Sequence, residues 1–378
     1  MTHPIVIPKL NFIPNLSQRE LLITLFVLPI AVQWWSVWYP GAEPGGGGYI
    51  AQRMLSAKDE KNAIWATMLF NFAHYAIRPW PWILIALASL IIFPDLASIQ
   101  TAFPQIDPGI IRDDLAYPAM MTLLPAGAIG LVVASLIAAF MSTISSHLNW
   151  GSSYVVFDFY QRFINPSASE KQLVAVGRWS TLLLMLFSAL FALVLSNALQ
   201  AFQILLQIGA GTGLLFILRW FWHRINAYSE LTAMLVSFVL AIYFQVVHVA
   251  LGFDAIPNDL QFLLSVGITT FAWVGVTLLT KPSDIETLKN FVRITQPGSK
   301  GWQTITDQMS SSELTNNKEG WNVPRGIVCM LVGAFAIYGA LFTTGFFLYG
   351  EIRSASLLGV ATLAAFYALW KLSRKLVE

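Results

Sequence analysis

The stretch AAFMSTISSHLNWGSSYVVFDFY, residues 138–160, carries polar side chains through an otherwise apolar segment. They recur at steps of three and four, which places them on one face of a helix: Ser142, Ser145, Ser146, Asn149, Ser152 and Ser153. A polar helix face inside a bilayer has to look at protein or at a water-filled cavity, because lipid offers it no hydrogen-bond partner. The stretch therefore predicts a membrane helix that faces the interior of a helical membrane protein.

Three neutral oxygens are expected to meet at one point of this helix. Ser142 and Thr143 follow Ala139 by three and four positions, so their hydroxyls lean over the turn that holds the Ala139 carbonyl. Such oxygens suit a hard monovalent cation such as sodium. A second interpretation stays open, because serine and threonine hydroxyls also bond to carbonyls one turn earlier and let helices pack closely. Three oxygens do not enclose an ion, so a second element would have to supply the rest.

The composition places the whole chain in a membrane. Hydrophobic residues make up 56% of the 378, charged residues 11%, and the mean hydropathy is +0.63. The one cysteine, Cys329, lies in an apolar run, which excludes a disulfide framework and a cysteine-based metal site. The five histidines are scattered without metal-ligand spacing, which disfavours a membrane-embedded enzyme or redox subunit. We expect an all-α polytopic membrane protein that is not an enzyme.

Runs of apolar residues predict about nine transmembrane helices. They cover residues 20–39, 63–93, 123–149, 172–196, 199–220, 229–252, 260–279, 326–349 and 354–371. The second span contains RPWPW, residues 78–82, where two prolines are expected to kink or end the helix. Residues 280–324 form a polar loop that reads either as a surface connector or as the site of an amphipathic helix around IETLKNFVRI.

The basic residues predict the orientation in the membrane. With the N-terminal tail outside, seventeen of the 22 lysine and arginine residues fall on the cytoplasmic side, in agreement with the positive-inside rule. The outer side keeps Lys9, Arg19, Arg78, Arg112 and Arg353. This pattern predicts a multi-pass protein of the plasma (cytoplasmic) membrane with its N-terminus outside and its C-terminus inside.

Several motifs resemble those of the sodium:solute symporter family. The helix at residues 138–160 resembles the family's "AA-x-x-S-[ST]…LN…S…D-x-Y" helix, and GGGGYIAQRMLSAKDEKNA resembles the segment after its sixth core helix. GRWSTLLL and LRWFWHRIN resemble its next two core helices. The resemblance implies a five-plus-five inverted-repeat fold with discontinuous helices. It also implies that the chain begins at the second repeat and lacks the N-terminal half, with additional C-terminal helices after the core.

The resemblance assigns the sodium site to the Ala139 carbonyl and the hydroxyls of Ser142 and Thr143. The family's remaining sodium ligands are carbonyls of its first core helix, so a complete site would need that helix from another polypeptide. His74 and Gln207 align near substrate-facing positions of the family. A histidine that packs against a neighbouring helix is the alternative for His74, and the usual proline after the family's glutamine is missing here.

The first predicted span ends in WWSVWYPGAEPGGGG, which resembles the broken sixth helix of the family. The resemblance makes Trp38 and Tyr39 candidates for lining and gating the substrate cavity. Glu43 is either a substrate or ion contact or a glutamate at the cytoplasmic helix end. The extra prolines and glycines leave the register across residues 39–48 open.

These observations predict three parts: an extracytoplasmic tail at 1–19, second-repeat transport helices at 20–226, and additional helices at 227–378 with a cytoplasmic loop at 280–324. The expected function is sodium-coupled symport of a small organic solute, such as a sugar or an amino acid, by an incomplete or split transporter. Its partners would be sodium, the solute, the lipid bilayer and a separate N-terminal half, with no nucleic acid. A membrane scaffold without transport activity is the alternative.

Overall fold

The computed structural model describes residue 17 and residues 22–36, 53–193, 195, 198–254, 256–310 and 323–377. Regular structure in these ranges is helical, without a β-strand, and an isolated bridge joins Trp222 to Gly301. Helices satisfy their own backbone hydrogen bonds, which is what a segment inside lipid requires. The predicted all-α class is confirmed.

The helices follow the predicted spans closely. They are α1 (Ile23–Ser36), α2 (Glu60–Ile92), α3 (Leu96–Ala102), α4 (Ala116–Met121), α5 (Ala126–Ile164), α6 (Glu170–Ala192), α7 (Ala198–Ile208), α8 (Gly213–Leu218), α9 (Ala227–Val247), α10 (Asn258–Leu279), α11 (Ile285–Thr295), α12 (Gln303–Thr306), α13 (Val323–Tyr349) and α14 (Ile352–Val377). Within the described ranges, seven are long and apolar enough to cross a membrane: α2, α5, α6, α9, α10, α13 and α14. The chain is therefore a polytopic helical membrane protein.

The two prolines of RPWPW do not end α2. Its first α-helical part ends at Asn71. The helix continues as a π-helical segment over Phe72–Ile77, and the α-helical pattern resumes at Pro79. In the π segment the Arg78 N–H donates to the Ala73 carbonyl, five residues back, at 3.0 Å. Because proline has no N–H and is tolerated in a first helical turn, Pro79 fits directly after this change of pattern. The helix therefore changes its hydrogen bonding at the position where a kink or an end was expected.

The described residues form two compact units. The first contains the chain up to Leu84 and from Phe202 onward, and the second contains Ile85–Ala201. In the second unit α5 packs on α6 through small residues: the Ser152 hydroxyl donates to the Gly177 carbonyl at 2.9 Å. A Cβ on Gly151 would lie 3.1 Å from Leu184, which shows how closely the two helices approach. Small residues at such contacts are typical of helix pairs in membranes.

In the first unit, α13 and α14 form a tight antiparallel hairpin around a turn at Gly350, whose φ is +82°. Gly339 faces the side chain of Thr362 so closely that a Cβ would overlap the threonine hydroxyl. Gly333 packs against Leu369 in the same interface. The neighbouring pair α9 and α10 is joined by a buried bond of 2.6 Å from the Thr277 hydroxyl to the Ser229 hydroxyl.

The polar segment after α10 is folded. Helix α11 confirms the predicted amphipathic helix, and its buried face contributes to a small core made of Leu288, Val292, Trp302, Ile305 and Met309. The segment is attached to the end of α8 and the turn that follows it: the Ser299 hydroxyl donates to the Phe221 carbonyl at 3.0 Å, and His223 Nδ1 lies 2.6 Å from the Gly301 carbonyl oxygen. A plain surface connector is therefore the wrong interpretation of residues 285–309.

Candidate ion and solute sites

The three candidate sodium ligands lie on α5, in its regular α-helical part. The Thr143 hydroxyl donates to the Ala139 carbonyl at 2.9 Å, and the Ser146 hydroxyl donates to the Ser142 carbonyl at 2.9 Å. This is the back-bonding that the sequence left open as an alternative. It does not exclude an ion, because a hydroxyl oxygen that donates its hydrogen keeps two lone pairs. The helix geometry thus places the Thr143 and Ala139 oxygens side by side.

The candidate sodium ligands are open to the outside of their unit. Ala139, Ser142 and Thr143 are all exposed in the described part of the chain. A bare α5 surface in lipid would leave a row of hydroxyls against apolar chains, which is unfavourable. Within the described residues, the three candidate ligands of α5 therefore lie on a face that its own unit leaves uncovered.

His74 lies in the π-helical segment of α2, half-buried in the first unit. Its ring stacks on Phe70 at a centroid distance of 5.1 Å, and its Nδ1 lies 2.9 Å from a guanidinium nitrogen of Arg78. Because arginine can only donate, Nδ1 accepts this bond and the ring proton sits on Nε2. The Nε2–H group is then the donor that His74 can offer to a solute. The i, i+4 spacing of His74 and Arg78 was the signal in the sequence.

Gln207 is buried, with 4% of its surface exposed, in a network of three glutamines from three helices. Its Nε2 donates to Gln261 Oε1 on α10 at 3.2 Å, and its Oε1 accepts from Gln245 Nε2 on α9 at 2.7 Å. Gln261 Nε2 in turn donates to the Ile256 carbonyl at 2.7 Å. The sequence singled out Gln207 alone, because Gln245 and Gln261 lie 38 and 54 positions away.

The backbone carbonyl of Ile256 sets the direction of this network. A carbonyl can only accept, so Gln261 must turn its NH₂ group toward Ile256 and its oxygen toward Gln207. Gln207 must then turn its own NH₂ group toward Gln261 and its oxygen toward Gln245. Gln245 lies in the π-helical turn Tyr243–Val247. Each of the three glutamine amides is therefore held in one orientation. The network is uncharged, and its donors and acceptors are fixed.

The predicted fifth span is broken in the middle, which the sequence analysis did not foresee. Helix α7 ends at Ile208 and α8 begins at Gly213, and between them Gly211 adopts a φ of +84°. A Cβ on Gly211 would lie 2.7 Å from the Cβ of Thr269, so this position requires glycine for both conformation and space. The signal was the run GAGTG at residues 209–213.

The described part of α1 ends at this break. The Gly211 N–H donates to the Ser36 carbonyl at 2.8 Å, and Trp273 Nε1 on α10 donates to the Gly211 carbonyl at 3.2 Å. The candidate gating residues Trp38 and Tyr39 and the candidate contact Glu43 lie outside the described residues.

Apolar helices long enough to span a membrane, a helix with a row of exposed polar oxygens and a broken helix are features typical of secondary transporters. Residues 14–237 match the model of the sodium:solute symporter family. The chain belongs to this family, as the resemblance of its motifs indicated.

Three curated relatives illustrate the match. The chain is 27% identical to a sodium/glucose cotransporter of Vibrio parahaemolyticus over 59% of its own length and 42% of the relative. It is 27% identical to sodium/glucose cotransporter 4 of Danio rerio over 73% of its length and 44% of the relative. It is 34% identical to human sodium/myo-inositol cotransporter 2 over 47% of its length and 27% of the relative. The chain thus spans less than half the length of these relatives, which are transporters and not enzymes.

Proposed function

We propose that this chain takes part in the sodium-coupled symport of a small polyhydroxylated solute such as a sugar or a polyol. One observation carries the proposal: the Thr143 hydroxyl and the Ala139 carbonyl lie 2.9 Å apart on a membrane helix of a sodium:solute symporter, with Ser142 in the same turn. Relatives named for glucose and myo-inositol support the class of solute. An amino acid or another small organic solute remains an outcome of the test.

Sodium would bind at the Ala139 carbonyl and the Ser142 and Thr143 hydroxyls. The exposure of these residues on their unit supports the view that further ligands come from outside the described residues, either on this polypeptide or on a separate N-terminal half. Neutral oxygens hold sodium without the tight binding that a carboxylate would give, so the ion can be released on the cytoplasmic side. The sodium gradient would then drive alternating access.

The solute would be bound by uncharged hydrogen-bonding groups. Gln207 and His74 are the proposed contacts within the described residues: His74 would donate through its Nε2–H group, and Gln207 through the second N–H of an amide that its two glutamine partners hold in place. Trp38 and Tyr39 are proposed to line and gate the cavity, and Glu43 is proposed as a further contact. The protein would act in the plasma membrane, with its N-terminus outside and its C-terminus inside.

The test is uptake of labelled glucose, myo-inositol and amino acids into cells that express the chain, in sodium chloride and in choline chloride of equal concentration. The chain is expressed alone and together with the first-repeat half of a sodium/glucose cotransporter. We expect uptake that depends on sodium in at least one of the two arrangements. Correct insertion with no sodium-dependent uptake of sugars, polyols or amino acids in either arrangement would overturn the proposal in favour of a scaffold.

A further inference from the structure

Three fully buried hydroxyl groups lie near the break between α7 and α8. Ser36, Ser265 and Thr269 are each 0% exposed, and their hydroxyl oxygens have no hydrogen-bond partner in the described part of the chain. A buried hydroxyl without a partner is costly, and native proteins rarely leave one unsatisfied. Three such groups in one region point to an occupant that satisfies them together.

The three residues are arranged around Gly211. Ser36 approaches it from α1, since its carbonyl accepts the Gly211 N–H at 2.8 Å. Thr269 approaches it from α10, since its Cβ lies 2.7 Å from where a Gly211 Cβ would be. Ser265 precedes Thr269 by one helical turn on the same buried face of α10. Residues of two other helices, Ser36 on α1 and Thr269 on α10, thus lie against the break in the first unit, with Ser265 one helical turn from Thr269.

The surroundings of the break favour a cation over an anion. The two N–H groups placed there are already engaged: that of Gly211 with Ser36, and Trp273 Nε1 with the Gly211 carbonyl. Helix α7 ends at Ile208 and has 11 residues, whereas α8 begins at Gly213 and has 6, so the negative dipole end of the longer helix outweighs the positive end of the shorter one at the break. The available groups are neutral oxygens, which suit a hard monovalent ion.

Apolar side chains enclose this point. Ala210, Phe262 and Val266 form a buried cluster, and Val32 and Trp35 of α1 pack against it. Apolar neighbours offer the buried hydroxyls no hydrogen-bond partner, which raises the cost of leaving these groups unsatisfied. Phe262 and Val266 belong to the same stretch of α10 as Ser265 and Thr269.

We propose that the break between α7 and α8 is a binding site for a monovalent cation, sodium in the first instance, with the hydroxyls of Ser36, Ser265 and Thr269 as ligands. This site is additional to the oxygens of α5, which belong to the other unit. It holds the broken helix between α1 and α10, so that occupancy stabilises the break. The proposal concerns binding and does not depend on whether the chain transports a solute.

The experiment measures binding of ²²Na⁺ to the purified full chain in detergent, in a Ser142→Ala/Thr143→Val background that removes the hydroxyls of α5. We expect saturable binding that unlabelled sodium chloride displaces and choline chloride does not. Adding Ser265→Ala or Thr269→Val should weaken binding roughly tenfold or more, because a ligand is lost. Thr269→Ser keeps the hydroxyl and should retain the binding.

Thr344→Val on α13 is the matched control, because the Thr344 hydroxyl already has a partner in its own helix, the Ala340 carbonyl at 2.9 Å. It should leave sodium binding unchanged. Thermal unfolding in choline chloride checks that each variant is folded, and valine preserves the shape of threonine. The absence of saturable sodium binding in the background variant, or equal binding with and without Ser265→Ala/Thr269→Val, would overturn the proposal and indicate that water fills the break.

Discussion

At the scale of single residues, one hydrogen bond on α5 is compatible both with ordinary helix back-bonding and with an ion site. The Thr143 hydroxyl bonds to the Ala139 carbonyl, as a threonine in any membrane helix can, and the same bond sets two oxygens 2.9 Å apart. Local helix geometry therefore creates the pair, and only the remaining ligands decide whether an ion binds. The consequence can be measured on single hydroxyls.

Removing a hydroxyl from α5 should weaken the response to sodium. We expect Ser142→Ala and Thr143→Ala each to raise the sodium concentration for half-maximal uptake roughly tenfold or more, because each removes a ligand. Ser135→Ala is the control, since the Ser135 hydroxyl bonds to the Val132 carbonyl on the same helix and lies outside the proposed site. An unchanged sodium dependence in both test variants would contradict the assignment.

The glutamine network leads to a second prediction for a single residue, which concerns the stability of the protein. Gln261→Met should leave the buried Gln207 amide without its acceptor and lower the free energy of unfolding by about 1–3 kcal/mol. Asn258→Ala removes an exposed amide that donates to Gln203 Oε1 at 3.3 Å, and it should cost well under that amount. Thermal unfolding in detergent compares the two variants. Equal losses would show that the network adds no specific stability.

At the scale of helices, close approach depends on which side chains are absent. Gly339 allows α13 to touch α14 at Thr362, and Gly211 allows α10 to touch the break in α7–α8. Hydrophobic burial drives helix association only weakly within lipid, so tight packing of small residues takes over that role. At both glycines a threonine of the neighbouring helix lies so close that a larger residue would clash with it: Thr362 at Gly339 and Thr269 at Gly211.

Replacing Gly339 should separate α13 from α14. We expect Gly339→Ala to destabilise the protein by about 1–3 kcal/mol, because its Cβ would overlap the Thr362 hydroxyl. Combining it with Thr362→Ala should recover part of the loss by making room. Gly326→Ala on the same helix meets nothing within 4 Å and should be neutral or slightly stabilising. Thermal unfolding is the measurement, and equal effects at both glycines would refute the packing argument.

The start of α11 should respond to acid. The Thr287 hydroxyl and backbone N–H both donate to the Asp284 carboxylate, and these bonds hold its pKa below the ordinary value of 3.8. A lowered pKa means that the cap stabilises α11 when the carboxylate is charged, and that this contribution is lost as the pH falls through the lowered pKa.

Hydrogen exchange at the first turn of α11 measures this effect. Protection should fall on acidification in the wild type, after correction for the intrinsic pH dependence of exchange. Asp284→Asn keeps a capping oxygen without a charge, so its protection should not show that fall. Asp284→Ala should lose protection at every pH. A fall of equal size in Asp284→Asn would assign the acid response to another group.

At the scale of the whole molecule, orientation follows from the distribution of charge. The polar segment that contains α11 is expected inside and the acidic loop around Asp107 outside. In a Cys329→Ala background, a membrane-impermeant maleimide should label Asp107→Cys on intact cells. It should label Gln308→Cys only after the membrane is permeabilised. The reverse pattern would show that the membrane orientation is opposite to the one expected.

Much of the architecture was predictable from the sequence because it depends on local properties. The length of an apolar run decides whether a helix can span a bilayer, and seven of the nine predicted spans are such helices among the described residues. The spacing of Ala139, Ser142 and Thr143 gave the oxygen group on α5, and the helical spacing of Ile285, Leu288 and Val292 gave the amphipathic α11. These features need no knowledge of any distant part of the chain.

The tertiary structure decided which residues fix Gly211 at the break between α7 and α8 and which residues are the partners of Gln207. Each of these depends on residues far apart in sequence: Gly211 is fixed by Ser36 and Thr269, and Gln207 by Gln245 and Gln261. Local sequence cannot specify such pairs, because many helix arrangements bury the same apolar area and differ only in which polar groups meet. In this protein, apolar run length determined the spans, and hydrogen bonding between distant helices determined where a span could break.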